Sequence, residues 1–525
     1  MHKFDVAVVG YGPTGLTMAA LLGAAGHKVL VVERWPTLYG MPRLSHIDSE
    51  TARLLSLSCD VNEALKASSA IDISRFYSSS GKVIIDLQGL PSTPMGHPDH
   101  ISIYQPDIED ALDARAKSFA NVTVLQGYEV TAVAEGPAGV TLTYKTPDGE
   151  TKSAQSAFLY AADGARSLAR DCAGIGREDH GYNERWLNVD GVFHGELKGR
   201  LQHVSFVCST ERAHMSMPVG KKYHRFEFAI LDNETDEEAA TPEFAGKLLR
   251  KYWGLDIKDM EITRLLVYRF ECKSAQTWRK GRILLGGDAA HTMPPTLGQG
   301  ACSAIRDAAN LAWKLDFVLR GLADESLLDT YESERRPHVW AIQKAAMAFG
   351  SIATTRNKVK AALRNFVLGL NILPPPPPFP PIGEGIKQGA NGKKYAKQIG
   401  LIPPHGKVTV DGKTDWFDHF SGYRFAVVAR GDALNGLTPR DLDYLAKIGA
   451  KLFVLGTGAA PVGAQTMQDS DNRFGPYLAN NKVEAMILRP DTNLFGLAEN
   501  GAALSALVGE LRSKLSAPAS SRRVA

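Results

Sequence analysis

Phe4-Asp5-Val6-Ala7-Val8-Val9-Gly10-Tyr11-Gly12-Pro13-Thr14-Gly15 runs from an apolar strand straight into a glycine-rich turn, and this passage decides the reading of the N-terminal half. In a βαβ unit the first glycine of G-x-G-x-x-G makes the tight turn. The second lets the backbone approach a pyrophosphate, and the third lets the next helix pack closely on the strand. The apolar run from about Leu16 to Ala25 predicts that helix, its N-terminal N–H groups aimed at the pyrophosphate. A second strand, His27 to Val32, ends at Glu33, 18 positions after Gly15, near the spacing at which an acid meets a ribose hydroxyl. Gly10, Gly12, Pro13, Thr14, Gly15 and Glu33 are therefore candidate dinucleotide-binding residues; the competing reading is a chance glycine turn.

At 525 residues the chain is too long for one ordinary domain, so about two or three domains are expected. Its 44% hydrophobic and 22% charged residues are ordinary for a globular protein. A net charge of +3 without a basic block argues against nucleic acid as a partner. The five cysteines, Cys59, Cys172, Cys208, Cys272 and Cys302, are odd in number and contain no CxxC pair, which argues against a disulfide framework or a metal site. No apolar stretch approaches the roughly 18 residues of a membrane span, and the first strand begins too near Met1 to leave room for a signal peptide. A cytoplasmic protein without membrane partners is expected.

Strand patterns follow at Val122–Val124, Glu129–Ala134, Val140–Tyr144 and Phe158–Ala161, and strands dominate from about Leu187 to Tyr268. In His224-Arg225-Phe226-Glu227-Phe228-Ala229-Ile230 apolar side chains fall on alternate positions, which predicts a half-buried sheet face. The strand Arg282–Leu285 precedes Gly286-Gly287-Asp288, and after Gly300 an amphipathic helix carries Ala304, Ile305, Ala308, Leu311 and Leu315 at helical spacing. Five prolines, Pro374 to Pro378, read as a stiff surface linker rather than a ligand for a proline-binding module. Beyond it, strands at Arg424–Val428, Lys451–Leu455 and Glu484–Leu488 alternate with helical patterns, predicting a separate C-terminal α/β domain. Gly456-Thr457-Gly458 lacks a third glycine at the required spacing and reads as an ordinary turn.

Two further motifs narrow the cofactor. Tyr160-Ala161-Ala162-Asp163-Gly164-Ala165-Arg166-Ser167 and Leu285-Gly286-Gly287-Asp288-Ala289-Ala290-His291 each end an apolar strand in an aspartate beside glycine. A carboxylate so placed can accept hydrogen bonds from sugar or ribityl hydroxyls; helix N-capping is the alternative. With Gly10-x-Gly12-x-x-Gly15, Asp163-Gly164 and Gly287-Asp288 in this order, roughly residues 1–350 resemble the FAD-dependent aromatic hydroxylases, typified by p-hydroxybenzoate hydroxylase and phenol hydroxylase. Gly298 to Leu315, and the stretch from Glu33-Arg34-Trp35-Pro36 to Pro42-Arg43, look most like the 3-(3-hydroxyphenyl)propionate hydroxylase branch.

The resemblance implies an α/β fold: a Rossmann-like FAD-binding domain (1–185 and 275–372) interleaved with a β-sheet substrate domain (main sheet 186–274), a Pro-rich linker (373–399) and a thioredoxin-like C-terminal domain (400–525). It implies FAD as cofactor, NADH or NADPH as electron donor, and hydroxylation of a small aromatic substrate by O2 through a flavin C4a-hydroperoxide. Glu33 would bind the adenosine ribose, Arg34, Arg43 and Gln105 would lie along the FAD, and Asp288 would hold the ribityl chain. Asp163 would belong to the motif shared between FAD and nicotinamide binding. The helix start at Gly298-Gln299-Gly300-Ala301 would offer N–H groups and a positive dipole end to the negative charge of reduced flavin, and the Pro295 carbonyl would lie beside the substrate hydroxyl.

For the chemistry itself, His46 is the candidate base for that hydroxyl, with a solvent-facing or core histidine as the alternative. His291 reads as structural rather than catalytic. Arg225 could meet a substrate carboxylate, against pairing with Glu227 or solvent. The C-terminal domain, with no cysteine after Cys302, cannot run dithiol chemistry; packing or dimerisation is its expected role, and a homodimer the assembly to look for. Two rivals stand beside the hydroxylase: an FAD-dependent reductase of carbon–carbon double bonds, and a flavin-binding redox sensor without turnover.

Overall fold

A computed structural model describes residues 4–370, 379–456, 460 and 463–516. The five-proline run and the Thr457-Gly458 turn lie outside the described residues. The opening strand Phe4–Val9 pairs in parallel with Val29–Glu33 on one side and with Thr151–Ala161 on the other. Ile283–Leu285 and Val122–Gln126 extend the sheet on either side, again in parallel. Strands with both faces covered need apolar side chains throughout, which is why these segments lack alternation; Val6, Val8, Val29, Val31, Leu159 and Leu284 are fully buried. A turn at Thr146–Gly149 joins Thr151–Ala161 to the antiparallel strand Gly139–Lys145.

A second sheet runs in the order His291–Thr292, Met260–Ala275, Arg177–Phe193, Tyr223–Ala229, His214–Val219, Val204–Cys208, Ile73–Ser78, Val83–Gln88. Its residues come from several parts of the chain, so this domain is interleaved with the first. The strand Tyr223–Ala229 corrects the half-buried reading: both of its faces are buried. Phe226 and Phe228 pack with Leu248 and Leu249 of the helix Pro242–Trp253, while Arg225 and Glu227 are buried on the other face. Alternation marked the faces correctly; a polar face here means internal ion pairs, not solvent.

The third sheet, in the C-terminal domain, runs Lys413–Trp416, Lys407–Val410, Gln465–Gln468, Lys451–Leu455, Ala426–Arg430, Ala485–Leu488, Leu494–Ala498. One of its cores includes Trp313, Phe317 and Leu327 of the first domain, packed with Phe425, Val427 and Ile487. Residues 379–399 are not a free surface spacer. Ile382, Ile386, Tyr395 and Ile399 are buried, and the Gly383 and Ile386 N–H groups donate to the Glu334 carbonyl at 2.8 Å and carboxylate at 2.6 Å. Among the described residues no helix is long and apolar enough to cross a membrane.

The domains are joined by buried charge. Glu334 accepts from Lys314 at 2.7 Å, Arg489 at 2.7 Å and Asn310 at 2.8 Å, and Arg489 also grips Asp491 at 2.6 Å. A second joint pairs Arg53 with Asp418 through two bonds of 2.7 and 2.9 Å. Removing one partner of such a pair strands the other in low dielectric, so Arg489→Ala is expected to destabilise the protein by about 3–5 kcal/mol. Urea unfolding of the variant checks this; a midpoint matching the parent would show that the joint holds nothing.

Candidate active site

The glycine turn has the geometry its sequence requires. Gly10 sits at φ +95°, and a Cβ there would run into the Ala162 carbonyl; one at Gly15 would run into the Gly10 carbonyl. At Gly12 a Cβ would meet no atom within 4 Å. Gly12 begins the helix Pro13–Ala24, which has no side-chain cap and no acid in its first turn, leaving its positive end for an anion. The Glu33 carboxylate is already engaged with this turn, accepting from the Tyr11 N–H at 2.7 Å and the Trp35 N–H at 3.0 Å. Arg34 lies exposed over the Trp35 ring at 5.3 Å.

The long helix Gly300–Leu319 packs against this first helix, and its own start at Gln299 likewise has no side-chain cap and no first-turn acid. The Gly287-Asp288 turn lies where the two helices meet: a Cβ on Gly287 would press on Thr14 of one and Ala304 of the other. Asp307 anchors this turn, a role the motif reading missed. Its buried carboxylate accepts from the Gly287 N–H at 3.1 Å, His291 Nε2 at 2.6 Å and Arg335 Nε at 2.9 Å. Burial alone would raise its pKa, but His291 and Arg335 hold it below the usual carboxylate range. His291 is thereby buried as a structural residue. Asp288 keeps a 43% exposed side chain whose nearest cation, Arg43, is 4.0 Å away.

Gln299 does not face the cofactor side with its side chain. Its amide donates to Asp48 at 3.0 Å and accepts from Arg306 at 3.2 Å, in a buried cluster where Arg306 also meets Asp48 at 2.7 Å. Gln105 is similarly internal: its amide oxygen accepts from the Arg43 and Leu44 N–H groups at 3.1 and 2.7 Å, and its nitrogen donates to Glu109 at 2.6 Å. Gln105 therefore positions the Arg43 backbone. From the opposite side Arg225 donates to the Pro42 and Arg43 carbonyls at 3.2 and 3.0 Å.

Arg225 is committed to Asp190 through bonds of 2.7 and 2.8 Å, with Glu227 farther away at 3.8 Å, so its expected pairing is corrected to a residue the sequence reading did not weigh. Arg264 joins the same carboxylate at 3.5 Å.

His46 Nδ1 faces the Gly298 carbonyl at 3.3 Å, and its Nε2 meets His100 Nδ1 at 2.9 Å. A carbonyl only accepts, so the Nδ1 proton points to Gly298 and Nε2 accepts from His100. Burial, with His100 adding, pushes the His46 pKa down to about 4. Pro295 is exposed, its carbonyl accepting from the Gly298 N–H at 2.8 Å. One Asp163 oxygen accepts from the Ala169 N–H at 3.0 Å in the first turn of the helix Leu168–Cys172, whose N-cap is Ser167 and not the aspartate; the other is buried without a partner. Burial pushes this carboxyl upward, which a donor from a bound ligand would relieve.

Two uncapped helix starts, an open Gly12, a half-exposed Asp288 and an orphaned Asp163 oxygen fit a dinucleotide with a polar linker chain, which is what FAD is. The comparisons agree. Residues 3–346 match the FAD binding domain, and residues 400–514 match the HcaD C-terminal domain. A probable NADH-specific resorcinol 4-hydroxylase of Rhodococcus jostii (strain RHA1) is 33% identical over 97% of this chain and 94% of its own length. A 3-(3-hydroxy-phenyl)propionate/3-hydroxycinnamic acid hydroxylase of Comamonas testosteroni is 29% identical over 94% of each.

Aklavinone-11 hydroxylase, crystallised with FAD and aklavinone, shares the fold at a TM-score of 0.78 and 24% identity, over 98% of this chain and 99% of that one. The flavin-dependent monooxygenase PieE does so at 0.77 and 19%, over 97% and 99%.

Fold and site together define an FAD enzyme of α/β fold with mixed sheets and a separate C-terminal domain. The chain belongs to the FAD-dependent aromatic hydroxylases, the flavoprotein monooxygenase family. Its cofactor is FAD and its electron donor NAD(P)H.

The glycines separate folding from binding. Gly12→Ala is expected to fold normally and lose FAD, since its methyl group would occupy only the open approach; Gly15→Ala is expected to fail at folding itself. Far-UV circular dichroism and flavin absorbance of the purified variants check both, and full FAD content in Gly12→Ala would remove the turn from the site.

Proposed function

We propose that this enzyme hydroxylates a small, uncharged phenol, with NADH as donor. The observation that carries the substrate class is the commitment of Arg225 to Asp190 in the sheet expected to cover the ring, which leaves that cation unavailable to a substrate carboxylate. The resorcinol hydroxylase relative is named for an uncharged phenol and for NADH. FAD, once reduced, supplies the activated oxygen that enters the ring.

In this reading Gly10, Gly12, Pro13, Thr14 and Gly15 receive the pyrophosphate and Glu33 the ribose. Arg34 and Arg43 lie along the cofactor, with Gln105 holding the Arg43 backbone. Asp288 holds the ribityl hydroxyls, with Gly287 giving close approach, and Asp163 serves cofactor or nicotinamide through its free oxygen. The helix start at Gly298-Gln299-Gly300-Ala301 favours negative charge on the flavin ring, worth about 0.3–2 kcal/mol. The Pro295 carbonyl, which already accepts from the Gly298 N–H, orients the substrate hydroxyl through its second lone pair. His46 takes the hydroxyl proton at Nε2 once the bond it accepts there from His100 is exchanged for the substrate hydroxyl, and His100, exposed on the neighbouring strand, connects the site to solvent. A cytoplasmic location belongs to the same proposal, supported by five unpaired cysteines.

The C-terminal domain we read as thioredoxin-like. Ala426–Arg430, Lys451–Leu455 and Gln465–Gln468 are parallel neighbours, followed by the antiparallel pair Ala485–Leu488 and Leu494–Ala498 and a terminal helix.

Asp288→Ala should fold and bind FAD roughly ten- to a hundredfold more weakly, the loss of about 1.5–3 kcal/mol for a charged hydrogen bond; fluorescence titration of the apoprotein with FAD measures it, and an unchanged dissociation constant would remove the ribityl assignment. The function is tested by stopped-flow reduction with a panel of neutral and carboxylated phenols, with product analysis under labelled O2. Neutral phenols should accelerate reduction and carry the label. Faster turnover of carboxylated phenols would overturn the substrate class. His46→Ala should lower hydroxylation about 10²–10⁴-fold with FAD affinity intact, and higher pH should partly restore it by ionising the phenol in solution. Equal loss at every pH would dismiss His46 as the base.

A further inference from the structure

The sheet that carries Arg225 and Asp190 holds one row of side chains that its own packing does not account for. Register places Phe76, Phe206, Met215, Glu227, Asn188 and Leu266 side by side on neighbouring strands, so they share one face. It is the face opposite Phe226 and Phe228. The outer members of the row are apolar, yet the two in the middle are a carboxyl and an amide, and both are buried. Polar groups taken out of water need partners, and these are only partly matched. Asn188 Nδ2 donates to Glu227 Oε1 at 3.0 Å, whereas Asn188 Oδ1 is buried with no partner among the described residues. Arg225 stands 3.8 Å from the same Glu227 oxygen, so Oε2 is left without a hydrogen bond among the described residues. Burial pushes the Glu227 carboxyl upward, with Arg225 opposing.

This face looks toward the cofactor side. In the adjoining row Arg225 and Arg264 donate to the Pro42 and Arg43 carbonyls at 3.0 to 3.3 Å. Tyr268, two positions beyond Leu266 on the same face, lies under the Arg43 guanidinium at 5.9 Å, and that guanidinium is 4.0 Å from Asp288. At the other end of the row Phe76 meets Phe349 edge-on at 5.1 Å. The next residue, Gly350, backs onto Thr296, which follows Pro295. Trp186 and Phe270 join Phe76 and Phe206 in the same apolar cluster. An apolar surface with two convergent polar groups is what a small ring with a polar substituent requires.

The free atoms say which substituent. Asn188 Oδ1 and an ionised Glu227 Oε2 both accept, so together they want a donor and repel an anion. A hydroxyl can donate; a carboxylate or an ether oxygen cannot. Were Glu227 protonated and the amide turned over, the pair would still lack a bond, and a hydroxyl, which also accepts, would supply it. Resting on the reading of this enzyme as a hydroxylase of uncharged phenols, we propose that Asn188 and Glu227 bind a second hydroxyl of the ring, so that the preferred substrate is a dihydroxybenzene. One hydroxyl lies at the Pro295 carbonyl and the other at this pair, which sets specificity and takes no part in the oxygen transfer.

Titration of the FAD-loaded enzyme with phenol, the three benzenediols and their monomethyl ethers, followed by the change in flavin absorbance, tests this. At least one benzenediol should bind about ten- to a hundredfold more tightly than phenol and than its own monomethyl ether, which keeps both oxygens and lacks one donor. In Asn188→Leu that advantage should disappear; Asn188→Ala replaces it if the leucine variant does not fold, as judged by circular dichroism and FAD content. Phenols that bind and are hydroxylated with no preference for a second hydroxyl, or a preference that survives the substitution of Asn188, overturn this proposal and leave the hydroxylase reading standing. Absence of binding and of labelled product with every phenol of the panel overturns both.

Discussion

The cofactor side of this molecule depends on the buried carboxylate of Asp307. A charge with no water around it must be matched in place, and Asp307 is matched by three donors from two other parts of the chain: the Gly287 N–H and His291 of one segment, and Arg335 of a later helix. Because Asp307 stands on the long helix that opens at Gly300, those bonds fix the helix start relative to the Gly287-Asp288 turn. The turn in turn touches Thr14 on the first helix. Two helix ends and one exposed carboxylate thus share a common frame, and Asp288 can stay exposed for a ligand because its neighbour Asp307 does the anchoring.

A second buried ion cluster lies in the other sheet of this half. Asp190 holds Arg225 and Arg264, and these reach the carbonyls of Pro42 and Arg43 at 3.0 to 3.3 Å. With Gln105 gripping the same segment by its N–H groups, the backbone at Arg43 is clamped from both sides, while its guanidinium stays half exposed between Asp288 and the Tyr268 ring. The desolvation cost of Arg225 is offset inside the protein, which is why it is unsuited to compete for a ligand carboxylate.

The C-terminal domain is bound to the cofactor domain in a way that composition does not suggest. Trp313 and Phe317 lie on the same helix whose start frames the flavin site, and they are packed into the C-terminal core. Lys314, between them, completes the Glu334–Arg489 network. Burial lowers the pKa of Lys314 to about 8, and Glu334 opposes that shift. The far domain is therefore part of what holds the helix Gly300–Leu319 in place.

The sequence alone determined the elements and the cofactor. The glycine turn is a local backbone requirement, the helix after Gly300 is a 3.6-residue pattern, and the order of the three motifs identifies the family; each signal is carried by neighbouring residues. It also marked correctly which face of Tyr223–Ala229 is apolar.

Only the tertiary structure decided who pairs with whom. Arg225 and Asp190 are 35 positions apart, Arg306 and Asp48 are 258, and Arg489 and Glu334 are 155. Sequence spacing carries no signal for such partners, because a buried charge is matched by whichever opposite charge the fold brings within about 3 Å. The same reason explains why Gln105 and Gln299, expected along the cofactor, grip backbone and side chains of the protein.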